Sequence, residues 1–143
     1  MITTCNDCNA NRRIVVSENR RSFIIDNRSS RSVNKVTVDS CYMTTGRRCD
    51  YLFEILAACV NDSAPDEVFY IELKGSDIRH AVSQLEATLR HCRALHTAAA
   101  KECYIVASRY PKSGPSVQTI KKKFKDANDV QLFIGTQQYT KTI

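Results

Sequence analysis

Apolar and polar residues alternate in short runs over the first half of the chain, which is typical of half-buried β-strands. Polar, turn-prone segments rich in Asn, Ser and Asp separate these runs. A short polar turn joins the first two runs, which predicts an N-terminal β-hairpin. The predicted strands are Ile14–Val16, Ser22–Ile25, Lys35–Asp39, Cys49–Ile55 and Val68–Lys74.

The period changes to that of a helix after Gly75. Ser76 is a suitable N-cap, and apolar residues then recur at spacings of three and four, which predicts a helix of about five turns. These apolar residues are Ile78, Val82, Leu85, Leu89 and Cys92. A strand at Glu102–Ala107, a second helix capped by Ser116 and a last strand at Val130–Ile134 follow. The order predicts an α/β (α+β) fold, a mixed β-sheet flanked by helices.

The length of 143 residues suits a single domain, 1–143, with its core at about 35–135 and a mobile segment at 1–13. Hydrophobic residues make up 43% and charged residues 25%, which excludes a disordered or coiled-coil chain. No apolar run approaches the roughly 20 residues that cross a bilayer, so no membrane partner is expected. The start lacks the apolar segment of a signal peptide, and seven cysteines cannot all pair internally, so we expect a reducing, cytoplasmic location.

The charge favours polyanionic partners without identifying one, since Lys and Arg outnumber Asp and Glu by 21 to 15 and give a net charge of +6. Arg47 and Arg48 precede the strand that begins at Cys49. Arg109 and Lys112 follow another predicted strand. Loops at strand ends often carry binding residues, so these four are the expected contacts to a nucleic-acid backbone.

Two carboxylates are predicted to meet across one strand pair. Asp50 lies opposite Glu72 if their strands pair antiparallel around Asn61, within a predicted loop. Alternation of side chains places Lys74 on the same face as Glu72. Two carboxylates beside backbone carbonyls suit Mg²⁺ or Mn²⁺, which would activate a water and offset charge on a phosphate. With Lys74 positioning the attacking water, the pattern predicts phosphodiester hydrolysis.

These residues resemble the PD-(D/E)xK nuclease superfamily, which has the restriction-endonuclease-like fold. The resemblance covers roughly residues 35–107: Asp50, then Glu72-Leu73-Lys74 on the next strand, then a long helix and a further strand. It implies that Asp50 and Glu72 hold the metal ion with the Leu73 carbonyl as a further ligand. It also implies that Lys74 lies beside the nucleophilic water.

Some branches of the superfamily place a Gln in the helix after the Lys, and Gln84 lies in that helix here. The Tyr that follows this Gln in the exonuclease-like branch is absent, since Thr88 stands there. The resemblance implies a metal-dependent endonuclease acting on DNA, with RNA the weaker alternative, and a homodimer that addresses two strands. The alternative function is a non-cleaving nucleic-acid-binding or protein-interaction module on the same fold. The carboxylate pair favours the nuclease, because its mutual repulsion costs stability without a metal.

Cys5-Asn6-Asp7-Cys8 has the spacing of a zinc knuckle, and Cys41 with Cys49 would complete a four-thiolate zinc site. Only one of the two pairs has tight spacing, so free thiols in a mobile N-terminus are the favoured interpretation. The histidines lie too far apart for one metal and are expected at the surface; they are His80, His91 and His96.

Overall fold

Nine strands and two helices form within residues 1–73, 75–111 and 114–143, the part of the chain that the computed structural model describes. The strands are β1 (Asn6–Asn9), β2 (Arg13–Glu18), β3 (Arg21–Asp26), β4 (Ser32–Thr37), β5 (Tyr51–Leu56), β6 (Glu67–Glu72), β7 (Ala100–Ala107), β8 (Gln131–Thr136) and β9 (Gln138–Thr142). The helices are α1 (Ile78–His91) and α2 (Val117–Asn128).

Six strands form the central sheet in the order β1-β4-β5-β6-β7-β8. Pairing is antiparallel from β1 to β6 and parallel from β6 to β8. The parallel pairs need long crossover connections, which α1 and α2 provide. The carboxyl ends of β6 and β7 therefore lie at the same edge of the sheet, where both helices begin.

A second sheet of three strands, β2-β3-β9, packs on the other face of the central sheet. Alternation along β6 divides its side chains between the two faces. Val68 and Tyr70 join the core beneath the helices, whereas Phe69 and Ile71 join the core that contains Phe23 of β3. The result is three layers, with helices, the central sheet and the small sheet stacked in turn. Because both faces of β6 are buried, its sequence is apolar at successive positions rather than alternating.

The predicted α/β fold class, the N-terminal hairpin and both helices are confirmed. Ser116 caps α2 as predicted, with its Oγ accepting from Thr119 N–H at 3.2 Å. The predicted N-cap of α1 is wrong by one residue: Asp77 rather than Ser76 is the cap, and its Oδ1 accepts from His80 N–H at 3.1 Å. The helices cover only one face of the central sheet, because the hairpin strands with β9 occupy the other.

Two disulfides fasten the N-terminal segment, for which the sequence suggested mobility. Cys5 is bonded to Cys41 and Cys8 to Cys59, at either end of β1. The predicted four-thiolate zinc set is therefore not brought together, since three of its members are in disulfides and Cys49 is buried on the helix side of the central sheet. Within the described residues, no helix is long and apolar enough to span a membrane.

We expect thiol titration of the denatured, unreduced protein to find three thiols, because four of the seven cysteines are in disulfides, and to find seven after reduction. Reduction should lower the free energy of unfolding by about 2–4 kcal/mol per bridge, since each bridge closes a long loop in the unfolded chain. Urea unfolding with and without dithiothreitol measures this loss. A variant with Ser at all four bridged positions is the control, and its stability should not respond to dithiothreitol. Seven thiols without reduction would contradict the pairing.

Candidate active site

Asp50 directly precedes β5 and Glu72 is the last residue of β6, so the two residues come together at one end of this strand pair. Tyr51 of β5 pairs antiparallel with Ile71 of β6, and Asp50 N–H donates to the Ile71 carbonyl at 3.1 Å. The predicted antiparallel pairing of the two strands around Asn61 is confirmed from Ile55 and Glu67 to Tyr51 and Ile71. The Asp50 hydrogen bond goes to Ile71 rather than to Glu72, so the regular register ends at Tyr51. Glu72 lies two positions after Tyr70, which is in the core beneath the helices, so alternation places the Glu72 side chain on the side covered by α1.

Both carboxylates are buried, Asp50 with 2% and Glu72 with none of its surface exposed. Asp50 Oδ2 accepts a hydrogen bond from Leu73 N–H at 2.8 Å, which fixes the Asp50 side chain against the end of β6. Burial raises the pKa of the Cys49 thiol far above its ordinary value, and the charges of Glu72 and Asp50 raise it further. The Cys49 thiol is therefore neutral, and it lies close enough to both carboxylates for their charges to act on it.

A hydrogen bond among the described residues ties helix α1 to this site. Thr88 Oγ1 accepts from Cys49 N–H at 2.8 Å, one residue before Asp50. Gln84 lies one turn earlier on the same side of α1, and its buried Oε1 accepts no hydrogen bond from the described residues. A buried amide oxygen of this kind can accept a hydrogen bond from a water or act as a neutral oxygen ligand.

The structure describes only some of the other predicted site residues. Leu73 is buried, and its N–H is engaged by Asp50. Lys74 and Lys112 lie outside the described residues. No group of three or more His, Cys, Asp or Glu side chains in the described ranges could hold a metal. A Mg²⁺ site needs only one or two carboxylates together with carbonyl or water oxygens, so Asp50, Glu72 and the Leu73 carbonyl fit that ion.

Two open cavities flank the first turns of α1, and each contains predicted backbone-binding residues. One, of about 370 Å³, is lined by Arg47, Arg48, His80 and Gln84. Arg48 Nε donates to Asp39 Oδ1 at 2.8 Å, whereas Arg47 is exposed. The other cavity, of about 510 Å³, includes Arg109. The structure thus separates the three predicted basic residues that it describes, with Arg47 and Arg48 on one side of the helix and Arg109 on the other.

Neither family models, curated proteins nor solved structures match this chain. The activity of the site therefore has to follow from its own geometry.

A second set of buried polar residues lies on the same face, farther along β5 and β6. His96 Nε2 contacts Glu54 Oε1 at 2.8 Å, and His96 Nδ1 contacts the Tyr70 hydroxyl at 2.7 Å. Glu54 also accepts from Asn34 Nδ2 at 2.8 Å and from Ile2 N–H at 2.9 Å. The Glu54, Tyr70 and His96 side chains are almost completely buried, so no substrate reaches them. This network fastens the N-terminal segment and the turn after α1 to the central sheet.

The expectation that the histidines are surface residues is wrong for His96, which is 1% exposed. The residue itself gives no sign of this in the sequence. Glu54 does, because a carboxylate at an inward position between Leu52 and Leu56 requires buried hydrogen-bond donors. The position of Glu54 could therefore have indicated that a donor such as His96 packs against β5.

We expect stability to fall in acid through Glu54. Burial alone would raise the Glu54 pKa, but hydrogen bonds from His96, Asn34 and Ile2 N–H lower it more, so the pKa lies below its ordinary value of 4.5. The ionised form is thus favoured in the folded state. Ionised Glu54 therefore contributes fully to the free energy of unfolding above its pKa in the unfolded state. This contribution is lost as the pH falls through the lower pKa of Glu54 in the folded state.

Urea unfolding between pH 7 and pH 3 measures this contribution. Glu54→Gln should lower stability at pH 7 by about 1–3 kcal/mol and should flatten the decline in acid. Asp62→Asn, at an exposed position, is the control and should follow the wild-type profile. Parallel profiles of the wild type and Glu54→Gln would contradict the assignment.

Proposed function

We propose that this protein is a metal-dependent nuclease of the PD-(D/E)xK type, an endonuclease that hydrolyses phosphodiester bonds in DNA. The observation that carries the proposal is the pair of buried carboxylates at one end of the β5–β6 pair, where Asp50 Oδ2 accepts from Leu73 N–H directly after Glu72. Asp50, Glu72 and the Leu73 carbonyl would hold Mg²⁺ or Mn²⁺. When bound, the ion would lower the pKa of a water ligand and offset charge on the phosphate. Lys74 would position the attacking water.

The burial of the two carboxylates supports a cation between them. Two carboxylates buried close together repel each other when both are ionised. A divalent ion with the Lys74 ammonium would turn this repulsion into attraction, and Gln84 Oε1 would accept a hydrogen bond from a water of the site.

The two cavities support a polymeric substrate cleaved internally. A strand that crosses the first turns of α1 would contact Arg47 on one side and Arg109 on the other. Cations on both sides of the scissile phosphate would bind the DNA on both sides of the cleaved bond, as internal cleavage requires. An exonuclease instead binds the end of a DNA strand, so its site is closed on one side. The net charge of +6 adds long-range attraction for DNA.

The two disulfides support an oxidising compartment for this nuclease, in place of the expected cytoplasmic location. Structural disulfides persist in secreted or periplasmic proteins and are rare where glutathione keeps thiols reduced. The predicted homodimer stays a prediction, which light scattering of the purified protein measures.

We expect Mg²⁺ or Mn²⁺ to support nicking of circular plasmid DNA and EDTA to stop it. Asp50→Asn, Glu72→Gln and Lys74→Ala should each lower the rate at least ~100-fold, because each removes a group that stabilises the transition state. Asp50→Asn preserves an oxygen that can accept from Leu73 N–H, so it should fold. Asp62→Asn and Lys125→Ala, at exposed positions away from the carboxylates, are the controls and should cleave like the wild type.

Metal binding gives an independent measurement. Calorimetry should detect Mg²⁺ binding to the wild type and its loss in Asp50→Asn. If the three variants cleave at the wild-type rate, the assigned residues are wrong. If the wild type binds DNA without cleaving it in any divalent metal, the non-cleaving nucleic-acid-binding module is the correct function.

A further inference from the structure

The cavity of about 510 Å³ has the size and lining of a small-ligand pocket, since such pockets span roughly 300–1,000 Å³. Its apolar part includes Ile78 at the start of α1 and Ile120 in α2. Tyr110 also lines it, and 49% of the Tyr110 surface is exposed. A half-exposed aromatic ring beside aliphatic side chains offers a flat surface for another ring.

The charge of the cavity favours an anion. Arg79 and Arg109 line it, and within the described residues neither guanidinium is in an ion pair. Asp77 contributes one negative charge, but its Oδ1 is occupied by His80 N–H. Two cations against one carboxylate leave a net positive charge around the tyrosine.

Ser108 holds the Tyr110 loop close to the candidate active site. Ser108 N–H donates to the Gly75 carbonyl at 3.3 Å, and Gly75 follows Glu72 by three residues. The Ser108 carbonyl accepts from Gln137 Nε2 at 2.6 Å, and its hydroxyl accepts from Arg21. The cavity therefore opens at the carboxyl ends of β6 and β7, where α/β sheets commonly bind ligands.

We propose that this cavity binds one unpaired nucleotide of the DNA substrate, with the base stacked on Tyr110 and its phosphate between Arg79 and Arg109. This proposal rests on the proposed nuclease function and names its substrate class, which is single-stranded DNA or a duplex with a single-stranded flap. A base inside a duplex is paired and stacked on both sides, so it cannot place a face on Tyr110. An unpaired base can, and stacking on an aromatic side chain tolerates every base.

Fluorescence anisotropy in EDTA tests the cavity without cleavage. The probes are a labelled 12-nucleotide single strand and the blunt duplex of the same sequence, each titrated with the full-length protein. Tyr110→Ala should weaken single-strand binding about 5- to 100-fold and change duplex binding less than about twofold. Tyr110→Phe should preserve single-strand binding, because a phenyl ring stacks as well. Leu95→Ala removes another exposed apolar side chain, 47% exposed, and should bind like the wild type.

The salt dependence tests the phosphate contact separately. Arg109→Ala should weaken single-strand binding and reduce the slope of log affinity against log salt by about 0.7. The proposal is overturned if Tyr110→Ala weakens both probes equally or neither, or if Tyr110→Phe behaves like Tyr110→Ala. If single-strand binding depends on Tyr110 but no Mg²⁺-dependent cleavage occurs, the nucleotide-binding proposal is supported and the nuclease function is wrong. If cleavage occurs but Tyr110→Ala does not change binding, only the nucleotide-binding proposal is wrong.

Discussion

The pairing of β5 with β6 is the constraint on which the candidate site depends. Antiparallel register decides which residues lie opposite each other, and a shift of one residue moves a strand's side chains to the other face. With Tyr51 opposite Ile71, Glu72 lies on the helix side and Asp50 reaches the Leu73 N–H beside it. Shifted by one residue, the Glu72 carboxylate would enter the aromatic core against the second sheet. Both strands are buried on both faces, so that shift would also move their apolar side chains out of the cores in which they pack. The burial of apolar side chains therefore fixes the geometry of a polar site.

Four polar residues at this strand pair divide into two kinds. Glu54 and Tyr70 lie in the middle of the strands and are engaged by buried partners. Asp50 and Glu72 lie at the strand ends, where the loops before α1 and after β7 meet. The same sheet face thus carries a structural network in its interior and the candidate catalytic pair at its edge. Position along the strand, rather than residue type, separates the two.

Much of this arrangement could be predicted because it depends on residues that are close together in the sequence. Hydrophobic period identified the hairpin, β6 and both helices, and counting residues around Asn61 gave the correct register of β5 against β6. The short strands β1 and β9 could not be predicted this way, because their polar composition is that of loops. Pairing with distant strands and, for β1, two disulfides stabilise them. Counting cysteines excluded complete pairing but could not say which of them pair.

The cavity beside the candidate site was also beyond prediction from sequence. Arg109 was expected to bind a backbone, but its neighbours in space come from α1 and α2, far apart in the chain. Such a cavity is formed by how two loops pack, and local pattern carries no information about that. The same holds for His96, whose burial depends on where the turn after α1 meets Glu54.

The bridged strand β1 has a consequence for the association of one molecule with another. An exposed sheet edge offers unpaired backbone groups to other chains and is a site of aggregation. β1 covers the edge of β4 with only four residues, three of them Asn or Asp, and a covalent bond at each end keeps it from peeling away. By keeping β1 paired with β4, the disulfides thereby oppose edge-to-edge association of the central sheet.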